Sequence, residues 1–233
     1  MGRDTRRWDA LTDRAAVHHA LSDPGRLALV DHLLAGDRTP GELGALLDMP
    51  SNLVAFHLDE LERAGIVLRR RSEGDGRRRY VQLAADEVAG VPLRPSPAAA
   101  DGTAPQVLFV CTANQARSPL AASLWRALTG SAAESAGTHP ADRPHPLTRR
   151  VADAHGLTLD DTDPRPLDDV TTVPDLVVSV CDRAHEEGFD LDVPALHWSV
   201  PDPVGGGRRA FETALADLER RVDRLAATTS ATT

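Results

Sequence analysis

The chain has 233 residues, of which 41% are hydrophobic, so it can form one or two folded domains and is not a wholly disordered chain. Its net charge of -9 excludes a wholly basic nucleic-acid coat, and all 26 basic residues are Arg, which excludes lysine Schiff-base chemistry. Two cysteines are too few for a zinc finger or a disulfide scaffold, and free thiols are typical of a reducing compartment. Without a signal-like or membrane-spanning apolar run, we expect a cytoplasmic protein that does not bind a membrane.

Charge and composition divide the chain into two halves. Residues 1–100 carry 14 Arg and 15 acidic residues, whereas residues 101–233 carry 12 Arg and 20 acidic residues. Residues 89–105 are rich in Pro and Ala and lack hydrophobic periodicity, which is typical of a semi-extended linker. We therefore predict one domain over 1–88 and a second over 106–233.

The first half has the pattern of three helices followed by a hairpin. Asp23, Thr39 and Ser51 are candidate N-caps, and Glu42 completes a capping box with Thr39. Apolar residues at helical spacing are expected to face a common core. They are Leu27, Val30, Leu33 and Leu34, then Leu43, Leu46 and Leu47, then Leu53, Val54, Leu58 and Leu61. Two short helices with a tight turn between them and a hairpin after them predict a winged helix-turn-helix, mainly α with one β-hairpin.

The hairpin over residues 67–81 is the most charged element, with six Arg and two acidic residues, and its turn is predicted at Gly74–Gly76. Such a hairpin can contact DNA phosphates, and the helix-turn-helix before it favours this interpretation. The alternative is a solvated edge hairpin whose charge prevents aggregation. The candidate phosphate contacts are Arg71, Arg77, Arg78 and Arg79.

The segments 21–27 and 57–67 resemble those of ArsR-type winged-helix repressors, over about residues 8–84. The resemblance implies a homodimer that binds operator DNA with the second helix of the motif in the major groove. It places Ser51, Asn52, Ala55 and Phe56 near the groove-facing surface.

Two features depart from this family. The helix over 40–47 has no cysteine, so we expect no metalloid site there, and the four histidines of this half have no compact metal-ligand spacing. Ala55 and Phe56 stand where polar or basic residues are common, which leaves few donors to read base edges.

The second half begins with a strand, a loop and a helix. Gln106–Val110 is an apolar run typical of a buried parallel strand, and Pro119 opens a helix after the loop. Five residues separate Cys111 from Arg117, a spacing that lets the loop close around one tetrahedral oxyanion with its backbone N–H groups inward. The predicted oxyanion-binding residues are Thr112, Ala113, Asn114, Gln115, Ala116, Arg117 and Ser118.

Each side chain of this loop has a chemical role in the prediction. Arg117 can hold two oxygens of the anion, and Cys111 is the thiolate nucleophile that the positive field favours. Ser118 can donate a hydrogen bond to this thiolate, and Asn114 tolerates a left-handed backbone. A general acid must also protonate the leaving group. Asp202, before Pro203, is the candidate, with an ordinary turn Asp as the alternative.

Together, Cys111–Ser118, Ser135–Thr138, Asp175–Val178 and Asp202-Pro203 resemble the low-molecular-weight protein tyrosine phosphatase family, over about residues 105–228. The resemblance implies an α/β fold with a four-stranded parallel sheet and a phosphate-binding loop at the carboxyl end of its first strand. It also implies that Asp202 is the general acid. This family includes thiol-linked arsenate reductases.

Several features resemble the reductases more than the phosphatases. Ala116–Ser118 and His197-Trp198 match reductase versions of the motifs, and Val204–Gly207 stands where the phosphatases place an aromatic residue. Cys181 matches the second redox cysteine of thioredoxin-coupled reductases, whereas Gly188 occupies the position of the third. The alternative for Cys181 is a small buried residue at a strand end.

These features predict an arsenate reductase fused to a DNA-binding regulator of arsenic resistance. Cys111 attacks arsenate, and the adduct is resolved by Cys181 or by an external thiol such as mycothiol or glutathione. A glutaredoxin-like protein or thioredoxin is the expected redox partner, with no bound cofactor and no metal. Two alternatives remain open. One is a phosphomonoesterase whose winged helix serves dimerisation or DNA binding, and the other is a regulator that uses the second domain as an oxyanion sensor.

Overall fold

The computed structural model describes residues 2–88, 91–93, 104–160, 163–189 and 191–229. Its contacts divide the chain into two compact units. The first comprises Met1–Arg71 and Arg77–Ser96, and the second comprises Ser72–Gly76 and Pro97–Thr233. Each unit has a hydrophobic core of its own. No helix in the described ranges is both long enough and apolar enough to cross a membrane.

Four helices form most of the first unit: α1 (Gly2–Leu21), α2 (Pro24–Ala35), α3 (Pro40–Leu46) and α4 (Ser51–Arg63). The predicted caps hold at two of three helices. Asp23 accepts a hydrogen bond from the backbone N–H of Arg26 at 3.0 Å, and Thr39 and Glu42 form the reciprocal capping box. Ser51 is the first helical residue instead of the cap, because Pro50 occupies the N-cap position. Helix α1 was not predicted from the sequence.

Two antiparallel pairs of strands complete this unit. Strands β1 (Val67–Arg71) and β2 (Arg79–Leu83) form the predicted hairpin, and Arg38 exchanges two backbone hydrogen bonds with Val81 of β2. The short strands β3 (Glu87–Val88) and β4 (Val91–Pro92) form the second pair. The winged helix-turn-helix prediction is confirmed in its elements and their order.

The predicted linker over 89–105 is wrong in part. Val91–Pro92 is strand β4, and Leu93 is buried in the core of the first unit. One buried leucine and two paired residues do not produce a periodicity that sequence analysis can detect. Residues 89–90 and 94–103 of the predicted linker lie outside the described residues.

The core of the first unit contains most of the predicted apolar positions, including Leu33, Leu43 and Leu58. Three of the predicted core residues are exposed instead. Leu27, Leu46 and Leu53 are 45%, 53% and 40% exposed, because each lies on the side of its helix away from the core. The core-facing stripe of these helices is narrower than the apolar pattern suggested.

The second unit is an α/β layer structure. Its elements in chain order are β5 (Val107–Cys111), α5 (Arg117–Thr129), β6 (Ala133–Gly137), α6 (Pro146–Ala154), β7 (Leu176–Ser179), α7 (Asp182–Glu187), β8 (Ala195–His197) and α8 (Gly207–Thr229). The four strands pair in parallel in the order β6-β5-β7-β8. This confirms the predicted four-stranded parallel sheet.

Strand β5 lies inside the sheet and is buried along its whole length. Both of its faces are covered, which explains why its sequence is a continuous apolar run instead of an alternating one. Phe109 of this strand packs against Trp198, and Trp125 of α5 is fully buried in the same core. The carboxyl end of β5 therefore holds the following loop on a rigid support.

Candidate active site

The candidate nucleophile lies where strand β5 becomes loop. Cys111 is the last residue of β5 and Arg117 is the first residue of α5, so the loop between them connects this strand to this helix. Ala116 at the N-cap position makes no side-chain hydrogen bond to the helix end. The first N–H groups of α5 are therefore left for an anion, which the helix dipole also favours.

Four backbone carbonyl groups, from Cys111 to Gln115, fix the loop from outside, because each accepts a hydrogen bond from a residue between β6 and α6. The pairs are Thr138 N–H to Cys111 (3.1 Å), His139 N–H to Thr112 (2.8 Å), Ala141 N–H to Ala113 (2.9 Å) and His145 N–H to Gln115 (3.1 Å). In a trans peptide the next N–H points opposite to the carbonyl, so the amides of Ala113 and Ala116 face away from these outer partners. The N–H of Asn114 is directed at Cys111 Sγ, and that of Thr112 at Cys181 Sγ. Amides grouped around a sulfur in this way are the kind of donors that can bind an oxyanion.

Asn114 holds the loop in shape. Its φ of 47° lies in the left-handed region, which Asn tolerates better than most residues. Its side-chain nitrogen donates to Ser118 Oγ at 3.0 Å and to Ser135 Oγ at 2.9 Å. Its side-chain oxygen accepts a hydrogen bond from the backbone N–H of Arg165 at 3.1 Å. Arg165 and Ser135 are supporting residues to which the sequence analysis gave no role.

The sulfur of Cys111 has two polar partners. Ser118 Oγ lies 3.1 Å from Cys111 Sγ, and the backbone N–H of Asn114 donates to the same sulfur at 3.2 Å. Asn114 donates to Ser118 through its side chain, so the Ser118 hydroxyl proton can point to the sulfur. The predicted Ser118–Cys111 contact is therefore present.

Arg117 is buried beside acidic groups. It donates to the carbonyl of Val200 at 2.9 Å, and its Nη2 lies 3.4 Å from Asp202 Oδ2. Burial lowers the pKa of Arg117, but the acidic groups around it, among them Cys181 and Cys111, outweigh burial and raise it overall. Arg117 is a permanent cation at this site.

Asp202 comes to the site from a different part of the chain. It lies in the loop that follows β8, and its carboxylate reaches Arg117 while its side chain remains 48% exposed. Its other carboxylate oxygen accepts from the backbone N–H of Val204 at 3.1 Å. A carboxyl group this close to Arg117 is placed where a general acid would meet the leaving group of a bound oxyanion.

The second thiol also adjoins the loop. Cys181 follows β7, and its Sγ accepts from Thr112 N at 3.2 Å and lies 3.3 Å from Thr112 Oγ1. Burial, and then the charge of Cys111, raise the pKa of Cys181, so its sulfur is a thiol at neutral pH. The two cysteines thus flank Thr112. Cys111 is in contact with hydrogen-bond donors, and Cys181 is held as a thiol.

A buried polar network next to Cys181 was missed by the sequence analysis. His197 Nε2 lies 3.1 Å from Asp182 Oδ1, its Nδ1 lies 3.0 Å from Ser179 Oγ, and its ring stacks on His185. Burial raises the pKa of Asp182, but hydrogen bonds, first from His197, outweigh it and lower this pKa overall. Asp182 directly follows Cys181 and His197 belonged to a quoted motif, yet nothing in the sequence indicated that they pair.

The predicted DNA-contact residues belong to the first unit. Ser51, Asn52, Ala55 and Phe56 are all exposed on α4, and Arg71, Arg77, Arg78 and Arg79 are exposed on the hairpin. Another hairpin arginine is engaged within the unit. Arg69 makes ion pairs with Asp59 at 2.7 Å and with Glu62 at 2.6 Å, both on α4.

No group of three or more metal-ligating side chains occurs in the described part of the chain.

Comparison with known proteins assigns the second unit to a family. The model of the family described as low molecular weight phosphotyrosine protein phosphatase matches residues 106–232, which is more than half of the chain. The chain belongs to this family. A relative in Streptomyces coelicolor, named low molecular weight protein-tyrosine-phosphatase, is 32% identical over 143 residues, which cover 49% of this chain and 87% of that protein. Residues 21–70 match the model of a helix-turn-helix domain.

Solved structures of phosphatase-family proteins and arsenate reductases are also similar to the second unit. An arsenate reductase of Archaeoglobus fulgidus is 34% identical, with a TM-score of 0.48, over 52% of this chain and 98% of that one. A thioredoxin-dependent arsenate reductase of Corynebacterium glutamicum is 27% identical, with a TM-score of 0.42, over 54% of this chain and 61% of that one.

Proposed function

We propose that the second unit is a thiol-dependent arsenate reductase and that the first is an ArsR-type DNA-binding regulator, joined in one protein of arsenic resistance. The observation that carries the reductase proposal is the second thiol beside the nucleophile loop. Cys181 Sγ accepts a hydrogen bond from the N–H of Thr112, the residue next to Cys111. Hydrolysis of a phosphoester has no use for a second thiol at this place, whereas reduction of arsenate consumes two thiols.

The first step is nucleophilic attack on arsenate. Arg117 and the backbone amides of the loop hold the oxyanion, and Cys111 Sγ forms a bond to arsenic. An arsenic–oxygen bond breaks, and the departing oxygen leaves as water with a proton from Asp202. The arsenic remains in the pentavalent state in this adduct.

The second step transfers two electrons. A second thiol attacks Cys111 Sγ, the sulfur–arsenic bond breaks, and its electron pair stays on arsenic, which leaves as trivalent arsenite. The two thiols become one disulfide. The resolving thiol is Cys181 or a small external thiol such as mycothiol or glutathione. A glutaredoxin-like protein or thioredoxin then reduces the disulfide and restores the enzyme.

The surroundings of Cys181 suit this order of events. Burial and the charge of Cys111 raise the pKa of Cys181, so it stays protonated. Formation of the adduct removes that charge from Cys111, so one cause of the raised pKa disappears when the second thiolate is needed. The residues after Asp202-Pro203 also favour a small oxyanion, because Val204 and the glycines that follow offer no aromatic wall for a phenyl ring.

The second candidate function is phosphomonoester hydrolysis, with the first unit as a dimerisation or DNA-binding module. Cys111, Arg117 and Asp202 are the groups that such a reaction also needs, and the Streptomyces coelicolor relative is named a tyrosine phosphatase. A third candidate is a regulator in which the second unit binds an oxyanion without turnover.

One assay separates these functions. The purified full chain is given arsenate with glutathione or mycothiol and a glutaredoxin, or with thioredoxin and its reductase, and thiol oxidation is followed. We expect turnover that Cys111→Ser abolishes. Cys181→Ser, the matched control, retains turnover if an external thiol resolves the adduct and loses it if Cys181 does. Hydrolysis of p-nitrophenyl phosphate without arsenate reduction would support the phosphatase, and arsenate-sensitive DNA binding without either reaction would support the sensor.

For the first unit we propose a homodimer that binds an operator. The exposed face of α4 enters the major groove, and the hairpin arginines contact phosphates. The residues that carry this proposal are Ser51, Asn52, Ala55, Phe56, Arg71, Arg77, Arg78 and Arg79. In a gel-shift assay, we expect the protein to retard a DNA fragment from the promoter upstream of its own gene. In solution, we expect the mass of a dimer.

A further inference from the structure

A short acidic segment of the second unit lies against the candidate active site. Residues Ser72–Gly76, here termed the acidic loop, join β1 to β2 along the chain but belong by their contacts to the second unit. The loop is anchored through its backbone and a hydroxyl. Glu73 N donates to Asp182 Oδ2 at 2.8 Å, Ser72 Oγ donates to Glu186 Oε1 at 2.7 Å, and Asp75 N also donates to Glu186.

These anchors direct the carboxylate of Glu73 to the groups that would bind an oxyanion. Glu73 Oε2 lies 3.5 Å from Arg117 Nη1, and the backbone N–H of Asp202 donates to the two oxygens of this carboxylate at 3.0 and 3.2 Å. A guanidinium and a backbone N–H are the two kinds of donor that tetrahedral anions take from proteins. The carboxylate of Glu73 therefore has the partners of an anionic ligand.

The negative charge of Glu73 makes its carboxylate a competitor of an incoming oxyanion. Arg117 is the buried cation of the site and already faces Asp202. A phosphate or arsenate dianion that approaches Arg117 would meet the carboxylate of Glu73 as a second like charge within a few ångströms. Like charges at such distances repel strongly where water is partly excluded. The side chain of Glu73 is 40% exposed, so it has room to leave.

We propose that Glu73 is an internal carboxylate ligand of the anion site, so that docking of the acidic loop and binding of a tetrahedral oxyanion exclude each other. In the absence of an oxyanion, the carboxylate of Glu73 then occupies the site. The affinity of the site for oxyanions is therefore lower than it would be if Glu73 were not bound at Cys111–Ser118. By linkage, an oxyanion weakens the docking of the acidic loop by the same factor. The proposal concerns anion binding alone and holds for phosphate as for arsenate.

The test is a titration of the full chain with inorganic phosphate by calorimetry at fixed ionic strength. Glu73→Gln keeps the size of the side chain and the backbone anchors but removes the charge. We expect this variant to bind phosphate about tenfold more tightly than the unaltered chain, in line with the loss of one partly screened repulsion. Asp75→Asn, the matched control, removes the same charge two residues away and should stay within about twofold.

Equal affinities of Glu73→Gln and Asp75→Asn, or weaker binding by Glu73→Gln, would overturn the proposal, as would no phosphate binding by any of the three proteins. Hydrogen exchange supplies a second readout. Saturating phosphate should speed exchange at the amides of Glu73 and Asp75, which donate to Asp182 and Glu186 in the docked loop. Binding with unchanged exchange would contradict mutual exclusion. Because neither readout involves electron transfer, both are independent of whether the protein reduces arsenate.

Discussion

The two cysteines are both buried and free, yet their sulfur atoms have different surroundings. Cys111 Sγ is contacted by Ser118 and by an amide of its own loop, at the end of α5 where the helix dipole is positive. Cys181 sits at the N-cap of the short helix α7 and accepts from Ala184 N at 3.4 Å, but burial and the charge of Cys111 raise its pKa. The two thiols therefore differ in their neighbours, not in their exposure.

This difference predicts unequal thiol reactivity. Near neutral pH, iodoacetamide should modify Cys111 at least about tenfold faster than Cys181, because only the thiolate reacts. Cys111→Ser should lower the pKa of Cys181 by removing the neighbouring negative charge, so the midpoint of its alkylation moves to lower pH. Peptide mass spectrometry over a pH series measures both. An unmoved midpoint would show that Cys111 does not influence Cys181.

Asp182 gives a pH-dependent prediction about stability. Its folded pKa lies below the ordinary value of 3.8, since the hydrogen bonds led by His197 outweigh the effect of burial. A lowered folded pKa adds stability that is complete above the unfolded value and is lost as pH falls through the folded one. Asp182→Asn should thus lower the free energy of unfolding by about 2 kcal/mol at neutral pH, as for a hydrogen-bonded charged group.

The cost of this substitution should shrink as the medium becomes acidic, approaching zero below the folded pKa of Asp182. Urea unfolding of both proteins from neutral pH to about pH 3 measures this trend. Asp175→Asn, directly before β7 of the same sheet, is the control. A smaller cost is expected because Asp175 is exposed and only accepts a hydrogen bond from the backbone N–H of Gln106. A cost for Asp182→Asn that is the same at every pH would contradict the assignment.

At the level of elements, the end of β6 determines how closely the loop between Cys111 and Arg117 can pack. A Cβ atom built on Gly137 would lie 2.6 Å from the carbonyl oxygen of Thr112 and 3.1 Å from Asn114 N. Both are backbone atoms that are themselves held by hydrogen bonds, so neither can yield cheaply. The motif Ser135–Thr138 requires glycine at this position because strand and loop approach each other there.

Gly137→Ala should therefore destabilise the second unit by about 2–4 kcal/mol through overpacking, and should reduce anion binding by displacing the loop. Gly130→Ala is the matched control. Gly130 has φ of 70°, but its Cβ would meet no atom within 4 Å, so only the backbone cost of about 1 kcal/mol is expected. Chemical unfolding with phosphate titration compares them. Similar costs for the two variants would show that the loop adapts to the added methyl group.

At the level of the whole molecule, charge is distributed unevenly over the two halves of the sequence. The acidic residues exceed Arg by eight after residue 100, whereas the hairpin of the first unit concentrates Arg. Arg79 is exposed on β2, but Arg69 on β1 is held by two acidic side chains of α4. The hairpin arginines are thus not equivalent as phosphate contacts.

This predicts a contrast in the salt dependence of DNA binding. Arg79→Ala should weaken binding to all sequences and reduce the slope of log K against log salt by about 1, the value for one lost phosphate contact. Arg69→Ala, the matched control on the same hairpin, should leave the slope unchanged, because its guanidinium is already neutralised. Fluorescence anisotropy at several salt concentrations measures the slopes. Equal slopes for both variants would argue against direct contact by Arg79.

Features that depend on residues close together in the chain could be predicted from the sequence. The caps at Asp23 and Thr39, the buried strand before Cys111 and the spacing from Cys111 to Arg117 are local, so their chemistry and periodicity could be interpreted directly. Periodicity was less informative about Leu27 and Leu53, because it marks an apolar stripe but not how much of the stripe a neighbour covers.

Which distant residues share the site depends on how the strands and loops pack together. Resemblance suggested roles for Asp202 and Cys181, but their contacts with Arg117 and Thr112 arise because parallel strands bring their carboxyl ends to one edge of the sheet. The Asp182–His197 pair and the approach of Glu73 to Arg117 had no sequence signal at all. Such pairs join segments far apart in the chain, and their partners are selected by packing and burial, which no local pattern records.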